Sequence, residues 1–377
     1  MNKIWCFILL CSIFQAGSAQ VKNGITIASA DYQAQIQQRI LTNISDTIPC
    51  PIYHDPNYHG SADPEIVWNA FEKEWWIFYT GRRALREEGG TSAACPIGVA
   101  ASKDWKEWRF VGYCKFDGEG GKPDASFTFW APGIIRDGNT YHMFVTFKPS
   151  TEGYWGGGQW WIKHYSAPAN DLLYGWKVVE ESLKSTHSID ASLFRDKDKW
   201  LMWTRSEKNK VSGVFISESL DLQNWTITGL AQGEVNDKKI TGYEYQEAPY
   251  VFFWKGDYWM ITDPIGPDIA LYRSEDLISW KFSGTILDQP KGKSCNDGIA
   301  RHPSVCVLGD KAFIFYHVEP FRNYEIPYPE IEPKNKKIFL QITELKFGEG
   351  KPYTDRSKRI VLPYSPIPGK SYWGQSK

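Results

Sequence analysis

The feature that most constrains the fold of this chain is an aromatic-rich strand pattern that recurs five times at nearly even spacing. The segments start at residues 75, 141, 200, 258 and 312, so that successive starts lie 66, 59, 58 and 54 residues apart. They are Trp75–Tyr79, Tyr141–Val145, Trp200–Thr204, Tyr258–Thr262 and Ala312–Tyr316. Self-similarity at such a period indicates a repeat architecture in which each unit packs on its neighbours.

Each of these segments is preceded by a second short apolar strand and a turn. Four of the five are followed by a third strand and a polar turn that ends in a tryptophan, at Trp108, Trp176, Trp225 and Trp280. Units of about four strands predict an all-β protein, a five-bladed β-propeller, with a pair of stacked sandwiches as the alternative. We expect an N-terminal extension over residues 20–60, the propeller over 61–347 and a C-terminal tail over 348–377.

Composition excludes several classes of function. The 377 residues carry 43 Lys and Arg against 44 Asp and Glu, a net charge of -1, so the basic surface that nucleic-acid binding needs is not expected. After the N-terminus no apolar stretch approaches the length of a membrane span. The 18 Trp, 20 Tyr and 20 Phe residues suit pockets that stack on the apolar faces of sugars.

The N-terminus predicts export. Lys3 precedes an uncharged apolar run, Ile4–Phe14, and Ala16–Ala19 has the small residues of a cleavage site, so residues 1–19 are expected to be a signal peptide. The mature protein would be periplasmic or secreted, and the bulky Leu10 before Cys11 disfavours a lipid anchor.

Five cysteines remain after the predicted cleavage: Cys50, Cys95, Cys114, Cys295 and Cys306. Because the number is odd, at least one thiol must be unpaired. Cys95 and Cys114 either join neighbouring strands through a disulfide or are two buried free thiols.

Polar residues recur where the first strand of each unit begins. They are Asp63, Trp130, Asp190, Glu247 and His302. In a propeller blade the first strand lines the central channel, so these starts share one mouth of that channel. The sequence therefore predicts three carboxyl groups, an indole and an imidazole around one pocket.

These segments resemble glycoside hydrolase family 43 and its five-bladed relatives, over roughly residues 60 to 320. Asp63-Pro64 is similar to the motif that supplies the general base, Ser188-Ile189-Asp190 to the Asp that tunes the pKa of the acid, and Glu247-Ala248-Pro249 to the Glu-Gly-Pro of the general acid. Trp130-Ala131-Pro132 resembles the Trp-Ala-Pro signature, and His302-Pro303-Ser304 resembles the motif of the channel histidine.

The chain also departs from that family. Ala248 and Arg301 each replace a usual glycine, and Gly133 stands where an acidic or small polar residue is common. The segment 58–83 is closer to the family 117-like branch, whose known members remove 3,6-anhydro-L-galactose from agar oligosaccharides.

Further residues are expected to rim the same mouth. Those at second-strand ends are Arg82, Arg83, Arg205, Asp263, His317 and Glu319. The arginines either bind substrate or form salt bridges between blades, and Trp155, in a Gly-rich aromatic loop, either stacks on a sugar or packs between blades. His302 binds a Ca²⁺ or Zn²⁺ ion, holds a water or hydrogen-bonds within the channel. The chemistry itself requires no cofactor.

The sequence thus predicts an exported glycoside hydrolase that acts on a plant or algal oligosaccharide. We expect it to release one terminal sugar, an arabinoside, xyloside, galactoside or 3,6-anhydro-L-galactoside, with inversion, because Asp63 and Glu247 lie on blades that are not neighbours. Burial and the charge of Asp190 should raise the pKa of Glu247. A retaining or phosphorolytic enzyme and a non-catalytic carbohydrate-binding propeller are the alternatives, and the oligomeric state is left open.

Overall fold

The computed structural model describes residues 47–84, 92–117, 119–120, 127–149, 159–180, 187–208, 210–266, 268–288, 296–362 and 365–368. The predicted signal peptide, the loop residue Trp155 and Cys295 lie outside these residues. Among the described residues, no helix has the length and apolar character that crossing a bilayer demands.

Five sheets follow one another along the chain, each with four antiparallel strands, and we call them blades 1 to 5. The fourth sheet gains a short fifth strand that pairs parallel to its outer strand. Blade 1 contains β1 (Ser61–Asn69), β2 (Glu74–Gly81), β3 (Ile97–Ser102) and β4 (Arg109–Tyr113). After the short pair β5 (Lys115–Phe116) and β6 (Glu119–Gly120), blade 2 contains β7 (Thr128–Asp137), β8 (Thr140–Lys148), β9 (Trp161–Pro168) and β10 (Lys177–Glu180). Blade 3 contains β11 (Ile189–Asp196), β12 (Lys199–Lys208), β13 (Val211–Ser219) and β14 (Thr226–Leu230).

The helical turns of the described residues lie next to the strands of the last two blades. β15 (Gln232–Gly233) and helix α1 (Lys238–Thr241) precede blade 4, which contains β16 (Glu247–Trp254), β17 (Asp257–Asp263), β18 (Ile269–Ser274) and β19 (Ser279–Ile286). Blade 5 contains β20 (Arg301–Leu308), β21 (Lys311–Val318), β22 (Phe339–Gly348) and β23 (Lys351–Tyr353), with 3-10 turns at Tyr328–Glu330 and Pro333–Asn335.

The first strands of the blades form the inner wall of the molecule. β1 contacts β7, β7 contacts β11, β11 contacts β16, β16 contacts β20, and β20 returns to β1. In such a closed ring of blades, the strand edges that stay exposed are short and protected. The predicted all-β five-bladed propeller is therefore confirmed.

The hydrophobic core is divided among the seams between blades. Five buried clusters each join two neighbouring blades around the ring. At the seam of blades 1 and 5, Trp105 meets Phe313 and Phe315 edge to face, with ring centroids 5.1 Å apart in both pairs. This placement explains the aromatic composition, because each blade must bury both faces of a flat sheet.

The polar turns that precede the repeated tryptophans fold in the same way in three blades. In blade 1 the Ser102 hydroxyl accepts from Asp104 N and Trp105 N, while the Asp104 carboxylate accepts from Lys106 N and Glu107 N. Ser219 with Asp221 and Ser274 with Asp276 repeat the side-chain pair. Short Ser and Asp side chains favour such turns because they satisfy nearby backbone groups.

The N-terminal segment crosses the seam where the ring closes. Ile52 N donates to Leu340 O at 3.0 Å and Leu340 N donates to Tyr53 O at 2.8 Å, so the segment pairs with β22. The buried Asp55 carboxylate accepts from the hydroxyl groups of Tyr79 (2.7 Å) and Tyr113 (2.9 Å) on blade 1. Residues 52–55, which we call the strap, thus tie the last blade to the first.

Part of the predicted C-terminal tail, residues 348–377, completes the last blade. β23, at Lys351–Tyr353, is the fourth strand of blade 5 and pairs with β22. It falls beyond residue 347 because residues 319–338 separate β21 from β22. Beyond it, Ile48 N donates to Ile360 O at 2.8 Å, so part of the tail does pack against the N-terminal segment.

The cysteines divide into two groups. Cys95, Cys114 and Cys306 are buried free thiols, which decides between the two alternatives for Cys95 and Cys114. Cys50 forms a disulfide.

Candidate active site

Every first strand contains a β-bulge at the same position. In each blade the register of the inner strand shifts there, and a non-glycine residue has positive φ. The five are Asp63 (50°), Ala131 (42°), Asp190 (57°), Ala248 (44°) and His302 (39°). Left-handed backbone is costly for residues with a Cβ, and bulges re-aim side chains at functional sites. Five equal distortions therefore turn one ring of side chains into the channel mouth.

Side chains of neighbouring blades satisfy the amide groups at these bulges. Asp63 N donates to His317 Nδ1 at 3.1 Å, Ala131 N to Thr80 Oγ1 at 2.8 Å, and Asp190 N to Thr146 Oγ1 at 3.1 Å. In blade 4, Ala248 N donates to Asp190 Oδ2 at 3.1 Å. The bulges thus depend on contacts between blades as well as on local sequence.

A cavity of about 400 Å³ opens at this mouth. It brings together most of the residues that the sequence singled out, namely Asp63, Arg82, Trp130, Asp190, Glu247, His302 and His317. The rim residues Asp263 and Glu319 also line it, as does Arg301. Second-strand ends and first-strand starts therefore meet at one face, as the repeat predicted.

Two predicted substrate-binding arginines lie elsewhere. Arg83 does not line the cavity, and its guanidinium packs over the Tyr58 ring at 5.9 Å. Arg205 is also outside the lining, packs over the Tyr245 ring at 5.5 Å and donates from Nη1 to Ser206 O. Both are half-buried beside these aromatic rings, and the positive charge of Arg205 still lowers the pKa of Glu247 in part. Trp155 falls outside the described residues.

His302 stands between the carboxyl groups of the cavity. Its Nδ1 lies 3.0 Å from Asp63 Oδ1, and its Nε2 lies 3.8 Å from Asp263 Oδ2 and 4.0 Å from Glu247 Oε2. Burial by itself would lower the pKa of His302, but the negative charges of Asp63 and Asp190 outweigh it and raise the pKa to about 10. The imidazole is therefore protonated and positively charged.

Asp63 is held as a carboxylate. Burial opposes its ionisation, but the positive charges of His302 and of Arg82, whose Nη2 lies 3.5 Å from Asp63 Oδ1, outweigh burial and hold the pKa of Asp63 well below its usual value. A group that is ionised at every working pH can accept a proton from a water molecule.

Glu247 has the opposite protonation state. Burial is the largest influence and the charge of Asp190 adds to it, so that the pKa of Glu247 rises to about 7 although His302 lowers it in part. Burial also raises the pKa of Asp190, even though that carboxylate accepts from Ala248 N. Near neutral pH, Glu247 can therefore carry a proton in a cavity where Asp63 is ionised.

Asp190, Glu247 and His302 offer ligand atoms within 4.8 Å of one another, a spacing that a metal ion could use. A histidine that binds a metal ion must be neutral, whereas the carboxylates around His302 raise its pKa to about 10. A metal ion that binds the imidazole would therefore have to displace its proton. A Ca²⁺ or Zn²⁺ ion at His302 stays a prediction.

The structure also adds residues that sequence reasoning missed. Ile189, Ile265 and Arg322 line the cavity. Ile189 immediately precedes the bulge residue Asp190, the same position that Trp130, Glu247 and Arg301 occupy in their blades, so the repeat phase could have found it. Ile265 and Arg322 lie beyond the second strands of blades 4 and 5, where nothing in the repeat pattern indicates that they return to the channel.

Comparison with known proteins relates the middle of this chain to a known family. The family model described as glycosyl hydrolases family 43 matches residues 91–266. Over these residues, somewhat less than half of its length, the chain is similar to that family of glycoside hydrolases. No curated protein sequence matches this chain. The family 117-like branch stays a prediction.

Solved structures share the fold of this chain at low identity. A family 43 β-xylosidase/α-arabinofuranosidase from a compost microbial metagenome, in complex with xylotriose in a calcium-free form, is 14% identical with a TM-score of 0.59, over 82% of this chain and 97% of its own. The α-L-arabinofuranosidase of Lactobacillus brevis is 14% identical with a TM-score of 0.55, over 83% and 97%. A family 43 β-1,3-galactosidase with galactodeoxynojirimycin is 14% identical with a TM-score of 0.54, over 81% and 95%.

Proposed function

We propose that this protein is a glycoside hydrolase that removes one terminal sugar from an arabinoside, xyloside or galactoside oligosaccharide with inversion of the anomeric centre. The observation that carries the proposal is the pair of opposite protonation states in one cavity, with Asp63 ionised and Glu247 able to hold a proton near neutral pH. Glycoside hydrolysis needs one carboxylic acid and one carboxylate on either side of the bond that breaks.

Each group has one task in this reaction. Glu247 gives its proton to the glycosidic oxygen as the bond from that oxygen to the anomeric carbon breaks. A water molecule bonds to the anomeric carbon from the opposite face, and Asp63 takes one of its protons. His302 and Arg82 keep Asp63 ionised, while Asp190 keeps the pKa of Glu247 high enough for it to hold a proton. The products are a free sugar and a shortened chain.

Inversion is supported by the position of His302. Its two ring nitrogens face Asp63 and Glu247 separately, so the carboxyl groups are on opposite sides of the imidazole. Inverting enzymes keep their carboxyl groups about 6.5 to 9.5 Å apart to admit a water, against about 5 to 5.5 Å in retaining enzymes.

Release of a single sugar is supported by the dimensions of the channel. The cavity of about 400 Å³ is at the small end of ligand pockets. A separate cavity of about 90 Å³ lies further along the first strands and is lined largely by aliphatic side chains such as Ile135 and Val305. We infer that the terminal sugar enters the larger cavity and that the rest of the oligosaccharide stays outside.

The substrate class rests on the names of the structural neighbours, which act on xylosides, arabinofuranosides and galactosides. We further propose that the protein is exported, as the N-terminal sequence predicts. The Cys50 disulfide supports this location because disulfides persist in oxidising compartments.

An activity screen tests the proposed function. The wild type, Glu247→Gln, Asp63→Asn and the control Glu330→Gln, which alters an exposed loop residue, are incubated with xylo-, arabino- and galacto-oligosaccharides. We expect the wild type and the control to release a monosaccharide and both site variants to be slower by about 10²- to 10⁴-fold. Binding without release by the wild type would instead indicate a carbohydrate-binding propeller.

A further inference from the structure

The turn that follows the second strand of blade 4 is pinned by a buried ion pair. Arg301 Nη1 donates to Asp263 Oδ1 at 2.7 Å and to Gly266 O at 2.8 Å. Asp263 Oδ1 also accepts from Ile265 N at 2.8 Å, and its side chain is only 2% exposed. Arg301, which stands in place of the glycine usual in the resembling family, therefore fixes the path of residues 263–266.

Ile265 is the strained member of this turn. Its φ is 58°, a left-handed value that is an outlier for a β-branched residue. Its side chain is 55% exposed and lines the mouth of the cavity, so burial in the core does not explain the strain. Backbone strain of this kind persists where surrounding contacts over-determine it, and it clusters at ligand sites.

The turn lies on the side of the cavity where the leaving group must be. Glu247 and Asp263 are directly opposite each other in the β16–β17 ladder, and Ile265 follows two residues later. The general acid delivers its proton to the glycosidic oxygen, which stays with the sugar that leaves. A leaving sugar that accepts this proton from Glu247 therefore comes close to Ile265.

An aromatic side chain faces the same region from blade 5. The Arg322 guanidinium, bound to Glu319 at 2.6 Å, lies 4.3 Å over the ring of Tyr324. Tyr324 is 39% exposed and close enough to Arg301 and Asp263 to feel their charges. The side chains of Ile265 and Tyr324 thus form aliphatic and aromatic surface at the mouth of a cavity whose other lining residues are mostly charged.

We propose that Ile265 is a specificity-determining residue whose side chain, presented by the Arg301–Asp263 pair, contacts the apolar face of the leaving sugar. This inference rests on the proposed function. It concerns the sugar outside the cavity, whereas the terminal sugar is held by the residues around His302. Such an apolar contact stabilises the ring of the leaving sugar. It therefore favours oligosaccharides over substrates that have no second sugar.

The test compares two substrates that share a terminal sugar. Xylotriose, arabinotriose and galactotriose each carry a leaving sugar, whereas xylosyl, arabinofuranosyl and galactosyl fluorides of the matching anomeric configuration do not. The ratio of kcat/KM for the trisaccharide to kcat/KM for the fluoride differs between variants only through the leaving sugar, since both substrates place the same terminal sugar beside the same base and Glu247 is present in every variant. Ile265→Leu and Ile265→Asn form a matched pair, alike in shape and different in polarity.

We expect Ile265→Leu to keep the wild-type ratio and Ile265→Asn to lower it on the order of fivefold. Ile278→Asn, at another exposed isoleucine of blade 4, should leave the ratio unchanged. Equal ratios for Ile265→Leu and Ile265→Asn would overturn this inference alone. Failure of the wild type to hydrolyse any of the three pairs would overturn the proposed function together with it.

Discussion

His302 is the residue on which the charges of the site depend. It carries a positive charge between Asp63 and Glu247, and it lowers the pKa of both carboxyl groups. Asp190 acts in the opposite sense on Glu247. The site therefore separates two chemically identical side chains by their surroundings, the arrangement that general acid and base catalysis needs near neutral pH.

The first prediction at this scale is the pH dependence of the free enzyme. Glu247 must be protonated and Asp63 ionised, so kcat/KM should fall above about pH 7 as the Glu247 proton is lost. No matching fall should come from Asp63 between pH 6 and 5, because its pKa is below its usual value. Initial rates from pH 5 to 9 measure this, and Glu247→Gln should abolish the alkaline limb along with most of the activity.

A second prediction concerns His302 and metal ions. In His302→Gln the positive charge is lost, so the pKa values of Asp63 and Glu247 should both rise and the alkaline limb should move to higher pH. Because the imidazolium supplies the charge, the wild type should keep its activity after dialysis against a chelator. Loss of activity that Ca²⁺ or Zn²⁺ restores would show that a metal ion shares the site.

At the scale of elements, the position of the bulge residues could be predicted from the sequence, whereas their backbone conformation could not. The repeat predicted that Asp63, Asp190 and Glu247 meet at one mouth, because their phase within each unit is visible in the sequence. The left-handed backbone was not visible, since Ala131 and Ala248 are not residues that favour positive φ. Contacts between blades impose that conformation.

The bulges lead to a stability prediction. Ala131→Gly and Ala248→Gly remove the Cβ from left-handed positions, so each should raise the free energy of unfolding by about 0.5 to 1 kcal/mol. Ala101→Gly, in strand β3 where the backbone is not left-handed, should lower it instead. Denaturant unfolding of the three variants measures the difference, and destabilisation by all three would contradict the account of the bulges.

A histidine pair in blade 2 predicts sensitivity to acid. His142 Nδ1 and His164 Nε2 are 2.9 Å apart, and burial, with His142 beside it, lowers the pKa of His164 to about 3. The unfolded chain binds this proton at about pH 6.5, so stability falls as the pH drops below 6.5 and continues to fall toward pH 3.

The variant His164→Phe tests that dependence, since it keeps a flat ring on Phe144, whose centroid lies 4.1 Å from that of His164. We expect its free energy of unfolding to lose about 3 kcal/mol less between pH 7 and 4 than that of the wild type. His187→Gln, at an exposed histidine, is the control and should lose as much as the wild type. An unchanged pH dependence in His164→Phe would contradict the role of the pair.

At the scale of the whole molecule, ring closure depends on the strap. Each blade is built from consecutive strands, and no strand is shared between the first and last blades of the described structure. The buried carboxylate of Asp55 joins the strap to Tyr79 and Tyr113. The repeat predicted the number of blades. It carries no signal for the strap or for the loop 319–338, which separates the outer strands of blade 5 from its inner strands along the chain, because both segments lie outside the repeated unit.

The strap gives a prediction for the molecule as a whole. Asp55→Ala leaves two buried hydroxyl groups without their acceptor, so the free energy of unfolding should fall by about 3 kcal/mol. Asp310→Ala, in an exposed turn of blade 5, is the matched control and should change it little. Denaturant midpoints measure both, and equal midpoints would show that the strap does not hold the ring closed.

The central claim is that Asp63 activates water on one face of a sugar while Glu247 protonates the leaving oxygen on the other. Proton NMR of the first anomer released from the oligosaccharide that the screen identifies tests it most directly. We predict that this sugar appears with the anomeric configuration opposite to that of the substrate and then mutarotates. First release of the same anomer would mean that Asp63 attacks carbon instead of water, and it would contradict the mechanism.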